Sequence, residues 1–114
     1  MKDDKIYLNH VLECIGYIEE FTKEGRETFL KSRLIQDAVL RDLQTIGQSI
    51  GRLSEPLKTS HPEIDWRGII GFRNVLVHDY LGINLTRVWE IVEVELPRLK
   101  QSLQEMLKRR FFPC

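Results

Sequence analysis

Asp65-Trp66-Arg67-Gly68-Ile69-Ile70-Gly71-Phe72-Arg73-Asn74-Val75-Leu76-Val77-His78-Asp79-Tyr80 is the stretch on which the fold turns. Its first residue is a short carboxylate suited to cap a helix N-terminus. The apolar residues that follow, Trp66, Ile69, Ile70, Phe72, Val75, Leu76 and Val77, occupy more than one face of that helix. A helix buried nearly all round belongs at the centre of a bundle or against a second chain. A small bundle offers few neighbours, so the pattern predicts an all-α antiparallel helical bundle that pairs as a homodimer.

The flanking sequence supplies the other helices. Tyr7, Val11, Cys14, Ile18 and Phe21 recur in steps of four and three, widened by Leu8, Leu12 and Ile15, and predict a first helix over about 4–24. After Gly25, the residues Phe29, Leu30, Leu34, Ile35, Ala38, Val39, Leu43, Ile46, Ile50 and Leu53 predict one long second helix over about 27–54, which Pro56 ends. Arg33, Asp37 and Arg41 alternate in sign along its solvated ridge. The stretch 55–63, with Pro56, Ser60 and Pro62, reads as a loop. Gly82 ends the third helix, Asn84 or Thr86 caps a fourth, and Val88, Val92, Leu96, Leu99, Leu103 and Met106 carry that helix to about residue 110. Pro97 lies inside it and predicts a kink. Lys108, Arg109 and Arg110 complement the dipole at its end.

A length of 114 residues suits one domain, and no repeat or low-complexity segment divides it. Hydrophobic residues make up 42% and charged residues 30%, a globular balance. No apolar run is long enough to span a bilayer, and the first residues lead into no signal-peptide core, which predicts a cytoplasmic protein. Seventeen basic residues balance seventeen acidic ones, so attraction to nucleic acid has to come from a local patch. Two cysteines, Cys14 and Cys114, make neither a disulfide framework nor a metal site.

Gly-rich phosphate loops, zinc signatures and nucleophile elbows are all missing from the sequence. What remains is the polar cluster Arg73, Asn74, His78, Asp79 and Tyr80. At about 100° per residue, Arg73 and Tyr80 share a face, as do Asn74 and His78, while His78 sits about 140° from Arg73. Convergence therefore needs either a helix that loosens at His78 or a second protomer that brings its own copy opposite. A converging guanidinium and imidazole, without acidic metal ligands, suit cleavage of RNA. The guanidinium clamps a phosphate and offsets growing charge, and the imidazole moves protons to or from the 2′-hydroxyl and the leaving oxygen. Asn74 is placed to orient either partner. DNA lacks the 2′-hydroxyl nucleophile, so this chemistry selects RNA. Taken singly, each residue also has an ordinary structural reading: an ion pair for Arg73, a helix cap for His78, edge packing for Tyr80. His10 and His61 have no partner at useful spacing, and Trp66 and Trp89 read as core anchors.

Arg73, His78 and Tyr80 in the order R-x4-H-x-Y resemble the motif of the HepT toxins, a branch of the HEPN ribonuclease superfamily. Residues 38–47, residues 65–74 and Leu96-Pro97 are similar to the family's patterns as well, whereas the first 25 residues are less so. The resemblance implies an all-α homodimer whose paired motifs form a metal-independent endoribonuclease cleft needing no cofactor. It also implies a toxin whose partner is a MntA-like nucleotidyltransferase antitoxin, within a larger hetero-oligomer or not. By that resemblance Arg73 and His78 are catalytic, Asn74 supports them, and Tyr80 is the tyrosine that receives AMP. Attached AMP would oppose RNA by bulk and by phosphate charge. The alternative from a different class is a noncatalytic HEPN module that binds a nucleotide or a nucleotidyltransferase.

Overall fold

Four apolar residues of one helix meet four of another to make the centre of the molecule. Leu8, Val11, Ile15 and Ile18 lie on α1 (Lys2–Phe21), and Val39, Leu43, Ile46 and Ile50 lie on α3 (Arg33–Gly51); all eight are essentially solvent-free. Both sets alternate steps of three and four, which keeps one seam of each helix facing the other. A computed structural model describes residues 2–71 and 84–111 of the chain. Among the described residues the fold is all helix, with no strand.

The seam is antiparallel, as two polar contacts show. Near the start of α1, Asp4 accepts hydrogen bonds from the backbone N–H (2.8 Å) and the hydroxyl (2.6 Å) of Ser54, just past the end of α3. Six residues further along α1, His10 Nδ1 lies 3.2 Å from the hydroxyl of Ser49. Asp4 is 3% exposed, so its pairing with Ser54 offsets the cost of burying a carboxylate. Leu8 and Ile15 widen the expected stripe into its centre, while Phe21 stays at its exposed edge.

The long second helix expected over 27–54 is divided. α2 (Arg26–Lys31) ends at Ser32, whose backbone is extended (φ −111°, ψ 107°), and α3 starts anew. The Ser32 hydroxyl accepts from Ile35 N (3.2 Å), and Gln36 Nε2 donates to the Phe29 carbonyl (2.9 Å), so both frayed ends find partners. Leu34, counted on the apolar stripe, is 82% exposed; it lies half a turn away from Leu43. The Arg33–Asp37 pair (3.6 Å) forms on the solvated ridge as expected.

Residues 55–60, expected to be loop, form the short helix α4 (Glu55–Ser60). α3 already stops at Gly51, with Arg52 as its C-cap, so Pro56 is not what ends it; Pro56 sits in the first turn of α4, where a helix needs no N–H from it. Ser54 caps that turn by accepting from Leu57 N (3.3 Å), and Leu57 is fully buried. A fifth helix, α5, begins after Asp65 and is described over residues 66–71.

Asn84 caps the next helix, α6 (Leu85–Glu90), by accepting from Arg87 N (3.1 Å). The expected fourth helix then continues through a π turn (Ile91–Glu95) into α7 (Leu96–Phe111). Leu96 N reaches back to the Ile91 carbonyl, a bond one residue longer than an α-helical one. The disturbance expected from Pro97 thus takes the form of a wider turn just upstream, which relieves the ring's clash with the preceding carbonyls. Arg87 spans it, reaching Glu95 at 2.7 and 3.5 Å and Glu90 at 3.4 Å. Phe29 and Trp89 stack at a tilt of 39° with ring centroids 5.4 Å apart, tying α2 to α6. α7 adds Leu96, Leu99, Leu103, Met106 and Leu107 to the core, and its Lys100 pairs with Glu19 of α1 (3.0 Å). No described helix is long and apolar enough to cross a membrane.

Asp4→Ala leaves the Ser54 amide without its partner and removes a charge-assisted bond at the end of the seam. It is expected to destabilise the fold by about 2–3 kcal/mol, read as a lower urea midpoint with an unchanged slope.

Candidate active site

Arg73, Asn74, His78 and Tyr80 lie outside the described residues, as do Asp79, Gly82 and Cys114. The structure describes the two helix starts that flank the motif in sequence. On one side α5 leads toward Arg73; on the other the chain is taken up at Asn84 and α6.

The start of α5 is held by a set of short-range contacts. The Asp65 carboxylate accepts from Gly68 N (3.0 Å) and the Asp65 carbonyl accepts from Ile69 N (3.1 Å), so Asp65 is the N-cap that the sequence predicts. A Cβ at position 68 would run into that carboxylate, which accounts for a glycine there. The Trp66 indole N–H is shared between the carbonyls of Lys58 (3.0 Å) and His61 (3.1 Å) at the end of α4, while its ring packs in the core. Trp89 is likewise a core anchor, with its N–H on Glu93 (3.3 Å). Both tryptophans therefore have the structural role assigned to them.

Beside the α5 start lies a cleft of about 240 Å³, floored by Ile64, Ile69 and Leu99 and rimmed by Glu63, Asp65, Glu95 and Arg98. Three carboxylates against one guanidinium make this rim a poor seat for a phosphodiester. His61 Nδ1 lies 3.2 Å from Glu63, which is held below the usual carboxylate range by its own backbone N–H and then by His61. No group of three or more His, Cys, Asp or Glu side chains that could hold a metal ion occurs among the described residues.

A second polar patch on the α1/α3 seam brings together His10, Cys14, Asp42 and Ser49. Burial, then the charges of Asp42 and Glu13, push the Cys14 thiol up to about 11. Burial also raises the Asp42 carboxyl, against the pull of Arg41 and His10. A thiol so buried and so protonated is no nucleophile.

The described residues form a small all-α domain, and in sequence the polar motif falls between two capped helix starts. The family description "Ribonuclease HepT-like" matches residues 11–106, and the chain belongs to that family, a branch of the HEPN proteins. A Methanocaldococcus jannaschii protein named "Gamma-glutamylcyclotransferase and putative RNase" is 38% identical over 108 residues, covering 94% of this chain and 49% of that protein. The chain thus spans about half the length of that relative. A Thermococcus cleftensis protein named "Probable ribonuclease HepT" is 36% identical, covering 94% of this chain and 98% of its own. A Caldanaerobacter subterraneus protein named "Putative RNase" is 33% identical over 96% of this chain and 98% of its own. No solved structure gives a significant match.

The seam thiol yields a direct test. In a Cys114→Ser background, Cys14 at pH 8 should alkylate about a hundredfold more slowly in the folded than in the urea-unfolded chain. The rate should climb as pH approaches 11, and Asp42→Asn should move that climb to lower pH. Because the folded-state value exceeds the ordinary 9.0, the thiol's contribution to stability is lost as pH rises past 9.

Proposed function

We propose that this chain is the toxin of a toxin–antitoxin pair, a metal-independent endoribonuclease whose site is completed by two protomers. Arg73 and His78 are the catalytic residues, Asn74 supports them, and Tyr80 is the site of control. The observation that carries the reading is the R-x4-H-x-Y constellation at 73, 78 and 80, inside a family match that runs from 11 to 106 and beside relatives named as ribonucleases. The imidazole takes the proton of the ribose 2′-hydroxyl or gives one to the departing 5′-oxygen, and the guanidinium offsets charge on the phosphorus centre as it grows. On a straight helix Arg73 and His78 point about 140° apart, so the copy from a second protomer closes the site. In the balanced charge of the whole chain, RNA affinity resides in that local cleft.

Control acts at the phenol. A MntA-like nucleotidyltransferase transfers AMP from ATP to the Tyr80 oxygen with release of pyrophosphate. The added phosphate and nucleoside then stand where an RNA phosphate has to approach. The protein works in the cytoplasm, where RNA and ATP are both present.

Purified protein should degrade RNA in excess chelator, and His78→Ala should slow cleavage by at least about a hundredfold with its circular dichroism unchanged. RNA binding by the wild-type chain without any cleavage would instead favour the noncatalytic module. Intact-mass measurement after incubation with the partner nucleotidyltransferase and ATP should show AMP on the wild-type chain and none on Tyr80→Phe, and the Phe variant should resist neutralisation.

A further inference from the structure

α1 has a second apolar row besides the one buried in the seam. Ile6, Tyr17 and Phe21 are 63%, 50% and 40% exposed. At about 100° per residue they fall within about 60° of one another, roughly 130° around the helix from Leu8, Val11, Ile15 and Ile18. His10 and Glu13 lie between them on the same exposed side. Leu34, at the start of α3, is about 60° around that helix from Ser49, which meets His10. Because the seam is antiparallel, Leu34 extends the bare surface at its Phe21 end. These four side chains leave on the order of 400 Å² of apolar surface bare, the size at which a patch marks an interaction site. A standard interface takes about 800 Å² from each partner, a little over half of it apolar, so the face is of the extent that one protein covers.

A separate observation points the same way. Gly16 sits inside α1, exposed, with no positive φ, and no atom stands within 4 Å of the place a Cβ would take. Glycine in a helix interior is destabilising relative to alanine. Neither backbone strain nor crowding among the described residues accounts for it, whereas a second helix lying close along α1 does.

The row is also self-complementary. In an antiparallel pair of α1 helices with a twofold axis beside residues 13 and 14, position 6 of each copy meets position 21 of the other, and position 10 meets position 17. Ile6 then packs on a Phe21 ring and His10 on a Tyr17 ring, each contact made twice. The same symmetry brings Glu13, whose carboxylate accepts from the Tyr17 hydroxyl (3.2 Å), close to its own copy. Like charges at the axis make this a contact that salt strengthens.

We propose that the outer face of α1 is an interface between two copies of this chain, packed antiparallel with Ile6 against the partner's Phe21. It is a contact of its own, in addition to the one that the ribonuclease reading asks of the motif, and it holds whether or not the chain cleaves RNA.

The full chain in a Cys114→Ser background tests it, since Cys14 is buried. Ile6→Cys and Phe21→Cys proteins, mixed with a short bis-maleimide linker, should give a joined pair of the two kinds and at least about tenfold less of either kind joined to itself. In the proposed packing two copies of position 6 stand about 22 Å apart, beyond such a linker. Sedimentation equilibrium at tens of micromolar protein should give Tyr17→Glu half the mass of the wild-type assembly. Gly16→Leu should halve it too, although leucine is the better helix former, which a role in α1 stability alone does not predict. Raising salt from about 0.1 M to about 1 M should tighten the wild-type association several-fold. Equal masses for the wild type and Tyr17→Glu, an unchanged mass in Gly16→Leu, or self-joined pairs as abundant as mixed ones overturn the inference, and none of these bears on the ribonuclease reading.

Discussion

The seam between α1 and α3 is the constraint from which the remaining structure follows. Eight aliphatic side chains fill it, four from each helix, and their three-four spacing holds the two helices in contact over most of their length. Aliphatic packing alone tolerates a slide of one turn. Asp4 does not, because moving it away from Ser54 would break two short hydrogen bonds at a buried carboxylate. Register and direction are thus set by polar groups at the end of an apolar seam. Ser54 belongs to both arrangements, since the hydroxyl that meets Asp4 also caps α4. From α4 the chain passes through the Trp66 indole to the start of α5. The order of the N-terminal helices is therefore linked, contact by contact, to the point where the chain sets out toward its polar motif.

Much of this was legible in the residues. Periodicity gave the all-α class, both helices of the seam and the apolar face of α7, because burial on one face is what selects that periodicity. Asp65 and Asn84 were legible as caps because a short oxygen-bearing side chain before an apolar run has few other uses. The break at Ser32 was not, since Phe29 and Leu30 continue the helical spacing across it and a single serine is compatible with either side. α4 was missed because Pro56 was taken only as a stop, although the same missing N–H suits a first turn. The π turn left no trace, since Val88, Val92 and Leu96 step by four, a spacing shared by slightly wide and ordinary helical turns.

For the candidate site the sequence offers a chemistry and no geometry. A guanidinium, an imidazole and a phenol within eight residues are a specific enough set to suggest RNA cleavage and its control, and membership of the HepT-like family agrees with the first of these. Their convergence has no signature in apolar spacing, and residues 73–80 lie outside the described residues. Electrostatics narrows the matter. The cleft between α5 and α7 carries an acidic rim, so an RNA strand gains nothing from lying there. Under the ribonuclease reading proposed above, the surface that attracts phosphate lies elsewhere and concentrates positive charge locally in a chain of zero formal charge.

The π turn has a consequence for how this chain can change over descent. It holds one residue more than the α-helical turn it replaces, while the helices on both sides keep their apolar faces on the core. A lineage that lost one residue between 91 and 95 would close the bulge and leave both flanks in phase, with Pro97 the residue left to accommodate. The same loss inside α3 would rotate half of the central seam into water. Length variation among related chains should therefore collect at this bulge and avoid the long helices, so that the tail of the molecule is where new spacing can be tried without dismantling the core.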